Sequence, residues 1–389
     1  MMDTDFEIRD GVLVRYRGED PAPRIPAGVR AIGAFAFCLC RSLTAITIPE
    51  GVTAIGERAF YECTALTSVD IPAGVAVIGE GAFAGCQSLL SVRLPEGITE
   101  IRDSAFRFCR ELTSVTIPDG VVRIGSCAFQ YCTALTSVTI PRGVTGIGAH
   151  AFQFCRSLTS AAIPEGVTRI GDQAFFCCSG LTSVTIPRGV ERIGDSTFRS
   201  CFGLTSVTIP EGVADIGDSA FRSCGRLTSV TIPEGAASIA DHAFHSCISL
   251  TSVTIPDSVT SIGEGAFAEC PDLTSVSVGD PALLDRDDLG LRALATFAGR
   301  PTAPDTPRCQ AHLRYLRERA NDPRLIDLAA DDPGLLALLC AEELLDSRYL
   351  PHFFARAQRR GDTRAVAILL EYQRRHPGAA ARLPDELRL

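Results

Sequence analysis

The sequence predicts an α+β repeat protein, in which a parallel β solenoid of about eleven 23-residue coils is followed by a small all-α module. Phenylalanine recurs every 23 residues from Phe37 to Phe267, with no insertion or deletion. Cysteine and leucine keep the same register three and six residues later. Beyond about Asp285 the apolar periodicity becomes helical. The predicted organisation is therefore a hairpin cap at residues 1–24, the solenoid at residues 25–279 and the helical module at residues 285–389.

The segment Leu181–Cys201 shows how one coil begins. Val184 and Ile186 alternate with threonine at the period of a β-strand, and threonine is itself a good strand former. Pro187 ends this strand because proline cannot donate a hydrogen bond to a ladder. Each coil is therefore expected to contribute one short main strand to a stacked parallel sheet.

Turns are expected to complete each coil. The tetrapeptide that ends in Arg188 and Gly189 predicts a type I turn, with proline second and glycine fourth. Asp195 is predicted to cap the tight turn that buries Phe198 and Cys201. Since no single copy can bury its own apolar face, neighbouring coils must stack.

The ends of the chain follow other patterns. Residues 6–14 predict a hairpin with a tight Asp-Gly turn that covers the first strand edge. An apolar-striped segment at Leu289–Phe297 and a proline-rich linker at Arg300–Pro307 precede the helical module. Its predicted helices are Cys309–Ala320, Pro323–Ala329, Gly334–Leu345, Tyr349–Arg360 and Thr363–His376.

The repeated pattern LTSVTIPxGVxxIGxxAFxxCxx resembles the BspA-like class of leucine-rich repeats over roughly residues 25–279. The resemblance implies a curved or twisted parallel β solenoid with one main strand per repeat. It also implies protein binding or cell-surface adhesion, the roles of characterised members. A second resemblance covers one unit: ARAQRRGDTRAVAILLEYQ, within Tyr349–His376, resembles half of an ankyrin-type helix hairpin. A generic helical cap is the alternative interpretation of that segment.

Composition excludes several classes of function. All 37 basic residues are arginine, so a phosphate-loop lysine or a Schiff-base lysine cannot be present. The net charge of -9 argues against nucleic acid as a partner. No long apolar stretch predicts membrane insertion, and the acidic start of the sequence does not resemble a secretory signal. With 16 cysteines, these features predict a reducing cytoplasm, with the cell surface as the alternative.

Several side-chain patterns invite a chemical interpretation, and each has a simpler structural one. The cysteine column suggests metal or redox chemistry, but buried packing explains a residue that recurs in every copy. The aligned carboxylates Asp172, Asp195, Asp218, Asp241 and Glu264 suggest a cation site, but turn capping suffices.

Two further patterns are set aside on similar grounds. His242 and His245 lie near Cys247 without the four converging ligands that zinc prefers. The GxGxxA match at Gly146–Ala151 consists of the repeat's own residues, without a nucleotide-binding strand–helix context. We therefore predict no catalytic residue, no metal ligand and no cofactor.

One outer strand position forms a polar column that is nearly all threonine. Asp70 and Arg93 interrupt it, which marks them as possible specificity residues unless they only neutralise each other. The alternative is a solvated, strand-favouring threonine face. The candidate partner-binding residues are Asp70, Arg93, Thr116, Thr139, Thr185 and Thr208.

These observations favour a non-catalytic protein–protein interaction scaffold that binds a protein partner through the solenoid surface. The alternative is a cell-surface or secreted adhesion protein of the BspA-like type. An enzyme with its active site in the helical module is disfavoured, because His312, His352 and His376 show no recognisable catalytic spacing.

Overall fold

The computed structural model describes residues 5–287, 293, 298 and 307–376. It is a parallel β solenoid of about twelve turns followed by a few helices, as the repeat predicts. The chain divides into two compact units, Met1–Leu250 with Ser261–Asp272 and Thr251–Thr260 with Leu273–Leu389. The domain boundaries drawn from the sequence stay a prediction.

An antiparallel hairpin begins the first unit. Strands β1 (Phe6–Arg9) and β2 (Val12–Tyr16) are joined by the predicted Asp-Gly turn, in which Asp10 and Gly11 have φ of 49° and 77°. Strand β2 then pairs in parallel with β3 (Ala31–Ile32). The hairpin therefore occupies the N-terminal edge of a solenoid sheet, which would otherwise expose unpaired backbone groups.

Each coil carries a three-residue strand and a two-residue strand. The three-residue strands are β4 (Ala45–Thr47), β6 (Ser68–Asp70), β8 (Ser91–Arg93), β10 (Ser114–Thr116), β12 (Ser137–Thr139), β14 (Ser160–Ala162), β16 (Ser183–Thr185), β18 (Ser206–Thr208), β20 (Ser229–Thr231), β22 (Ser252–Thr254) and β24 (Ser275–Ser277). The two-residue strands are β3, β5 (Ala54–Ile55), β7 (Val77–Ile78), β9 (Glu100–Ile101), β11 (Arg123–Ile124), β13 (Gly146–Ile147), β15 (Arg169–Ile170), β17 (Arg192–Ile193), β19 (Asp215–Ile216), β21 (Ser238–Ile239) and β23 (Ser261–Ile262).

Strands of successive coils pair in parallel at the 23-residue register. The six three-residue strands β8, β10, β12, β14, β16 and β18 form one sheet in chain order, in which Val115 lies beside Val138 and Thr116 beside Thr139. The exact repeat length therefore keeps equivalent side chains aligned on one sheet face.

The phenylalanine column forms the centre of the first unit, as predicted. Every ring from Phe37 to Phe267 is 1% exposed or less. Adjacent rings stack with centroids 5.0–5.5 Å apart. Burial of large aromatic surface in every coil makes this column a main source of stability.

The turn that follows each main strand corrects the predicted register. Val190 donates its backbone N–H to the Pro187 carbonyl at 3.1 Å, so proline stands first and glycine third, one residue later than predicted. Glycine is needed in some of these turns because the coils approach closely there. A Cβ at Gly212 would lie 2.5 Å from the Arg188 carbonyl oxygen, and one at Gly235 would lie 2.4 Å from that of Glu211.

The second unit contains β22 and β24, which pair in parallel, and the helical module. A 3-10 helix at Pro281–Asp287 comes first and another at Ser347–Tyr349 interrupts the module. The α-helices are α1 (Pro307–Arg319), α2 (Pro323–Asp331), α3 (Pro333–Ala341), α4 (Leu350–Arg360) and α5 (Thr363–Arg375).

Most helix ends lie within two residues of prediction, but α3 ends four residues early. Glu343 adopts a φ of 58°, which stops the helix, although Leu345 still enters the core. The predicted segment Leu289–Phe297, apart from Ala293, lies outside the described residues. The same holds for the predicted linker Arg300–Pro307, apart from Pro307, the first residue of α1.

Local caps and one apolar core define the helical module. Asp322, Asp332 and Asp362 accept backbone N–H groups at the starts of α2, α3 and α5. Gly361 ends α4 in the left-handed conformation with a φ of 65°. The core includes Leu335, Phe353 and Leu369, each 1% exposed or less. Among the described helices, none has the length and apolar character to span a membrane.

Candidate protein-binding face

The candidate residues lie on the outer side of the three-residue strands. The middle residue of most of these strands is buried and the last is exposed, because side chains alternate between sheet faces. Parallel pairing places Thr116 beside Arg93 and Thr139, and Thr185 beside Thr208. The ladder face, as we call this exposed set, consists of Asp70, Arg93, Thr116, Thr139, Thr185 and Thr208.

Two threonine columns run along the same strands, and their hydroxyls differ. Three residues before the ladder face, Thr136 donates its hydroxyl to the Thr113 carbonyl of the preceding coil at 3.2 Å. The same bond recurs at 3.1–3.3 Å at Thr113, Thr159, Thr182 and Thr205. Within the described residues, the ladder-face hydroxyls make no such bond. The first column therefore joins coils, whereas the second leaves its hydrogen-bonding capacity at the surface.

Asp70 and Arg93 do not neutralise each other. They end adjacent strands and both are exposed, yet neither forms an ion pair within 4.0 Å with any described residue. Mutual neutralisation, the alternative that the sequence leaves open, is therefore not what the geometry gives. Ala162 is a second interruption, because it places a methyl group between Thr139 and Thr185.

The cysteine column is a packing element that also donates hydrogen bonds. The Cys132 Sγ donates to the Phe106 carbonyl of the preceding coil at 3.2 Å, and nine other register cysteines do the same at 3.1–3.3 Å. Burial raises the pKa of the Cys132 thiol well above its ordinary value. Each thiol is thus a second donor to a buried carbonyl that already accepts a backbone N–H, as the Phe106 carbonyl does from Cys109 at 3.2 Å, and the thiols are poor nucleophiles.

The end of the column departs from this pattern. Cys40, in the first coil, is only half-buried, although the sequence predicts burial for all eleven register cysteines. Among the off-register cysteines, Cys38, Cys127, Cys177 and Cys340 are half-buried, whereas Cys309 is buried. Burial raises the pKa of Cys340 to about 12.

Three of the five aligned carboxylates, Asp172, Asp195 and Asp241, bond to the next coil rather than to their own turn. Asp195 Oδ1 accepts the backbone N–H of Asp218 at 3.1 Å, and Asp172 Oδ1 accepts that of Asp195 at 2.9 Å. The predicted role as an amide acceptor is therefore right, but the predicted location within one coil is wrong. Within the part of the chain that the structure describes, no three histidine, cysteine or acidic side chains converge as a metal site.

The structure does not bring His242, His245 and Cys247 together. The two imidazole rings lie 5.3 Å apart between centroids. The Cys247 Sγ instead donates to the buried Phe221 carbonyl at 3.3 Å. His245 Nδ1 contacts the Ser246 hydroxyl at 2.7 Å. The cysteine is thus committed to the interior of the solenoid.

An outer aromatic stack was missed from the sequence. Phe108, Tyr131 and Phe154 stack with centroids 4.8 Å and 4.5 Å apart, and Phe176 meets Phe154 edge-on at 5.3 Å. The Arg107 guanidinium lies 4.8 Å from the Phe108 centroid. Aromatic residues at one repeat position in three consecutive coils were the available signal. Because the rings cover each other's faces, mainly their edges remain for a ligand.

Comparisons with known proteins agree with this architecture. A family model described as "BspA type Leucine rich repeat region (6 copies)" matches residues 22–132, 99–226 and 214–283. A leucine rich cell surface protein from Faecalibacterium prausnitzii A2-165 is 30% identical, with 74% of this chain and 97% of that chain covered and a TM-score of 0.47. A leucine-rich repeat protein from Bacteroides ovatus ATCC 8483 is also 30% identical, with 66% and 78% covered and a TM-score of 0.51. Among curated proteins, none matches the sequence.

The chain belongs to the BspA-type leucine-rich-repeat family, since the family model covers well over half of it. This membership is consistent with a role in protein interaction or surface adhesion. Proteins of the family are typically non-catalytic scaffolds.

Proposed function

We propose that this protein is a non-catalytic scaffold that binds a protein partner on the ladder face. The observation that carries the proposal is the contrast between the two threonine columns. The hydroxyls of one column join neighbouring coils, whereas those of Thr116, Thr139, Thr185 and Thr208 make no bond of this kind within the described residues. A partner can therefore bond to the ladder face without breaking any hydrogen bond of the solenoid.

Rigidity supports the same role. The strands of the ladder face pair in parallel with their neighbours, and the middle residues of most of them are buried. A surface that is already ordered loses little conformational entropy on binding, so more of the contact energy appears as affinity. The unpaired charges of Asp70 and Arg93 add positions that can discriminate between partners.

Thr139→Arg tests the face, with Gly146→Arg as a matched control in the same coil. A bulky arginine at Thr139 projects from the ladder face and is expected to block binding sterically. Arginine is native in neighbouring coils at the position of Gly146, namely Arg123 and Arg169, and a side chain there meets nothing within 4 Å. Both variants add one positive charge.

The measurement is capture of partners from native cells by the intact chain and by each variant, followed by affinity measurement with the purified partner. We expect Thr139→Arg to lower affinity by at least roughly tenfold, as for truncation or obstruction of a central interface position. Gly146→Arg is expected to bind as the parent does. Equal binding by both variants, with circular dichroism unchanged, would remove the ladder face from consideration.

A reducing cytoplasm is the compartment we propose, because Cys38, Cys127 and Cys177 are half-buried free thiols. A membrane-impermeant maleimide added to intact native cells tests this. We expect the label to reach Cys127 only after lysis. Labelling on intact cells would instead support the surface-adhesion alternative.

A further inference from the structure

The outer aromatic stack ends at a recess between turns. One repeat position holds a ring in three successive coils, the last being Phe154, and Cys177 occupies that position in the next coil. A half-buried thiol therefore stands where a further ring would continue the stack. We call this place the turn recess and define it by Phe154, Arg156, Phe176, Cys177, Arg199 and Ser200.

Two guanidinium groups are held at the turn recess by its rings. The Arg156 guanidinium lies 5.6 Å from the Phe154 ring centroid, and the Arg199 guanidinium lies 5.7 Å from the Phe176 centroid. The two rings meet edge-on, with their centroids 5.3 Å apart. A cation–π contact restrains a guanidinium without neutralising its charge. The rings therefore place two cations on one small area of the outer turns.

The charges around Cys177 differ from those around Cys127, another half-buried thiol of the outer turns. Burial raises the pKa of the Cys127 thiol, Arg107 lowers this pKa and Asp103 raises it, so a cation and a carboxylate both act there. Burial also raises the pKa of the Cys177 thiol, which the hydrogen bond with Ser200 and the two guanidinium groups of the recess lower. Among the described residues, no carboxylate acts on that pKa. The turn recess thus has two positive charges and no negative one.

An equivalent pair of coils shows where an anion would lie. Arg41, five coils earlier, occupies the repeat position of Arg156. Its guanidinium bonds at 3.0 Å to the carboxylate of Glu62, which occupies the repeat position of Cys177. The turn recess replaces that carboxylate with a thiol and adds the second cation, Arg199. A negative group bound beside Cys177 would therefore restore a contact that the solenoid already makes elsewhere.

From this geometry we infer that the turn recess binds a phosphate monoester. A carboxylate would balance only one guanidinium, whereas a phosphate monoester carries about 1.5–2 negative charges at pH 7 and has three acceptor oxygens. The planar fork of arginine matches such oxygens in pairs. The ester can belong to a phosphorylated protein side chain or to a small phosphorylated molecule. Because the turn recess lies outside the ladder face, this inference goes beyond the proposed function and does not depend on it.

Three short fluorescent peptides test the ligand chemistry. They share an otherwise uncharged sequence and carry phosphoserine, glutamate or serine at the central position. Fluorescence anisotropy with the full chain measures their binding. We expect the phosphoserine peptide to bind at least about tenfold more tightly than the glutamate peptide, because its charge matches both guanidinium groups. Equal affinities of these two peptides, or no binding of the phosphoserine peptide, would overturn the inference.

Competition by free O-phosphoserine distinguishes the two sources of the ester. Displacement of the labelled peptide at a concentration near the peptide's own dissociation constant would assign the recess to small phosphorylated molecules. A requirement for a much higher concentration would assign it to phosphorylated protein side chains, since the flanking peptide then contributes to affinity. Both results support a phosphate-monoester site, whereas failure of O-phosphoserine to compete at any concentration would contradict it.

Alkylation of Cys177 locates the bound ligand. A phosphate held beside this thiol covers it and raises its pKa further, so saturating phosphoserine peptide should slow its reaction with iodoacetamide by at least about fivefold. Cys127 is the internal control, because it is also half-buried but lies outside the turn recess. Mass spectrometry of peptides reports both rates. An unchanged rate at Cys177, or equal slowing at both cysteines, would place the ligand elsewhere.

Neutral variants test the two cations. Arg156→Gln and Arg199→Gln should each weaken binding of the phosphoserine peptide by roughly tenfold or more at low salt. Arg226→Gln is the matched control, since it removes the same charge at an exposed position outside the turn recess. Circular dichroism verifies the fold of each variant. An equal loss of affinity in the control would mean general attraction to positive charge and would refute the site.

A carboxylate built into the recess provides a test that keeps both arginines. Cys177→Glu places glutamate where Glu62 stands in its own coil, so the new carboxylate should pair with the two guanidinium groups and exclude the phosphate. We expect phosphoserine-peptide affinity to fall by roughly tenfold or more and the thermal unfolding temperature to exceed that of Cys177→Gln, which has the same size without the charge. Cys177→Glu that binds the peptide as tightly as the parent does would overturn the inference.

Discussion

The solenoid unit and the helical module are stabilised over different distances along the chain. In the solenoid, Phe129 stacks on Phe152 and Thr136 bonds to Thr113, so partners are 23 residues apart. In the module, Asp332 caps α3 through the N–H groups of Gly334 and Leu335, two and three residues away. A coil therefore depends on its neighbours, whereas a helix of the module carries its own start signal.

The largest expected effect concerns a stacked core ring. Phe152→Ala removes a fully buried ring from the column and should lower the free energy of unfolding by about 3–5 kcal/mol. Phe154→Ala, two residues away in the half-buried outer stack, should cost about 0.5–1.5 kcal/mol. Urea unfolding followed by circular dichroism measures both. Similar losses in the free energy of unfolding would mean that the outer aromatic stack stabilises the solenoid as much as the buried phenylalanine column does.

Replacing a buried cysteine should lower the stability less than replacing a core phenylalanine, but more than replacing a half-buried cysteine. Cys132→Ala removes one of the two donors to the Phe106 carbonyl, which keeps the Cys109 backbone N–H, and leaves a small void, so it should cost about 1–2 kcal/mol. Cys127→Ala, at a half-buried site in the same coil, is expected to change stability by less than about 1 kcal/mol. The same unfolding experiment decides this. Equal effects would deny the hydrogen-bonding role of the column.

In the module, a capping change should act locally. Asp332→Ala removes the N-cap of α3 and should cost about 1 kcal/mol. Peptide-resolved hydrogen exchange should show faster exchange in the helices and an unchanged exchange rate in the solenoid strands. Glu318→Ala, an exposed position on α1, serves as the control. Spread of the effect into the solenoid would break the contrast between the two regions.

The smallest expected effect depends on pH. Hydrogen bonds from Arg356, helped by Arg360, lower the pKa of Asp331 to about 2. Because the pKa is lower in the folded state, the stabilisation is present above about pH 4 and is lost as the pH falls through about 2. Exposure to solvent limits it to less than about 1 kcal/mol. Asp331→Asn should be less stable than the parent at pH 5 and equal near pH 2, measured by urea unfolding.

The sequence predicts the solenoid well because one period determines both strand and core positions. Phe37 to Phe267 could be assigned to a single buried column without any structure. Periodicity does not say which coil supplies a hydrogen-bond partner. The prediction that Asp195 accepts a backbone N–H was therefore right, but the donor lies in the next coil and not in the predicted turn. The turn after Pro187 was displaced by one residue for a related reason. At the equivalent Gly212 and Gly235, glycine is required by a close carbonyl oxygen of the neighbouring coil rather than by a positive φ.

Ends and surfaces are where sequence reasoning loses information. Cys40 matches the register but lies in the first coil, where the interior is less fully covered. The last residues of α3 carry helical apolar spacing, yet Glu343 turns left-handed. On the candidate face, the sequence identified the residues but not that their hydroxyls stay uncommitted. Only coordinates distinguish the two threonine columns.

The bond from Cys132 to the preceding coil recurs at ten joints of the solenoid, and the bond from Asp195 to the next coil recurs at several of them. A gene duplication or deletion of 23 codons would rejoin equivalent donors and acceptors, so the two flanking coils would keep their contacts. The number of coils is thus a quantity that replication errors can alter while the fold persists. Selection can then change the length of the solenoid surface in steps of one coil.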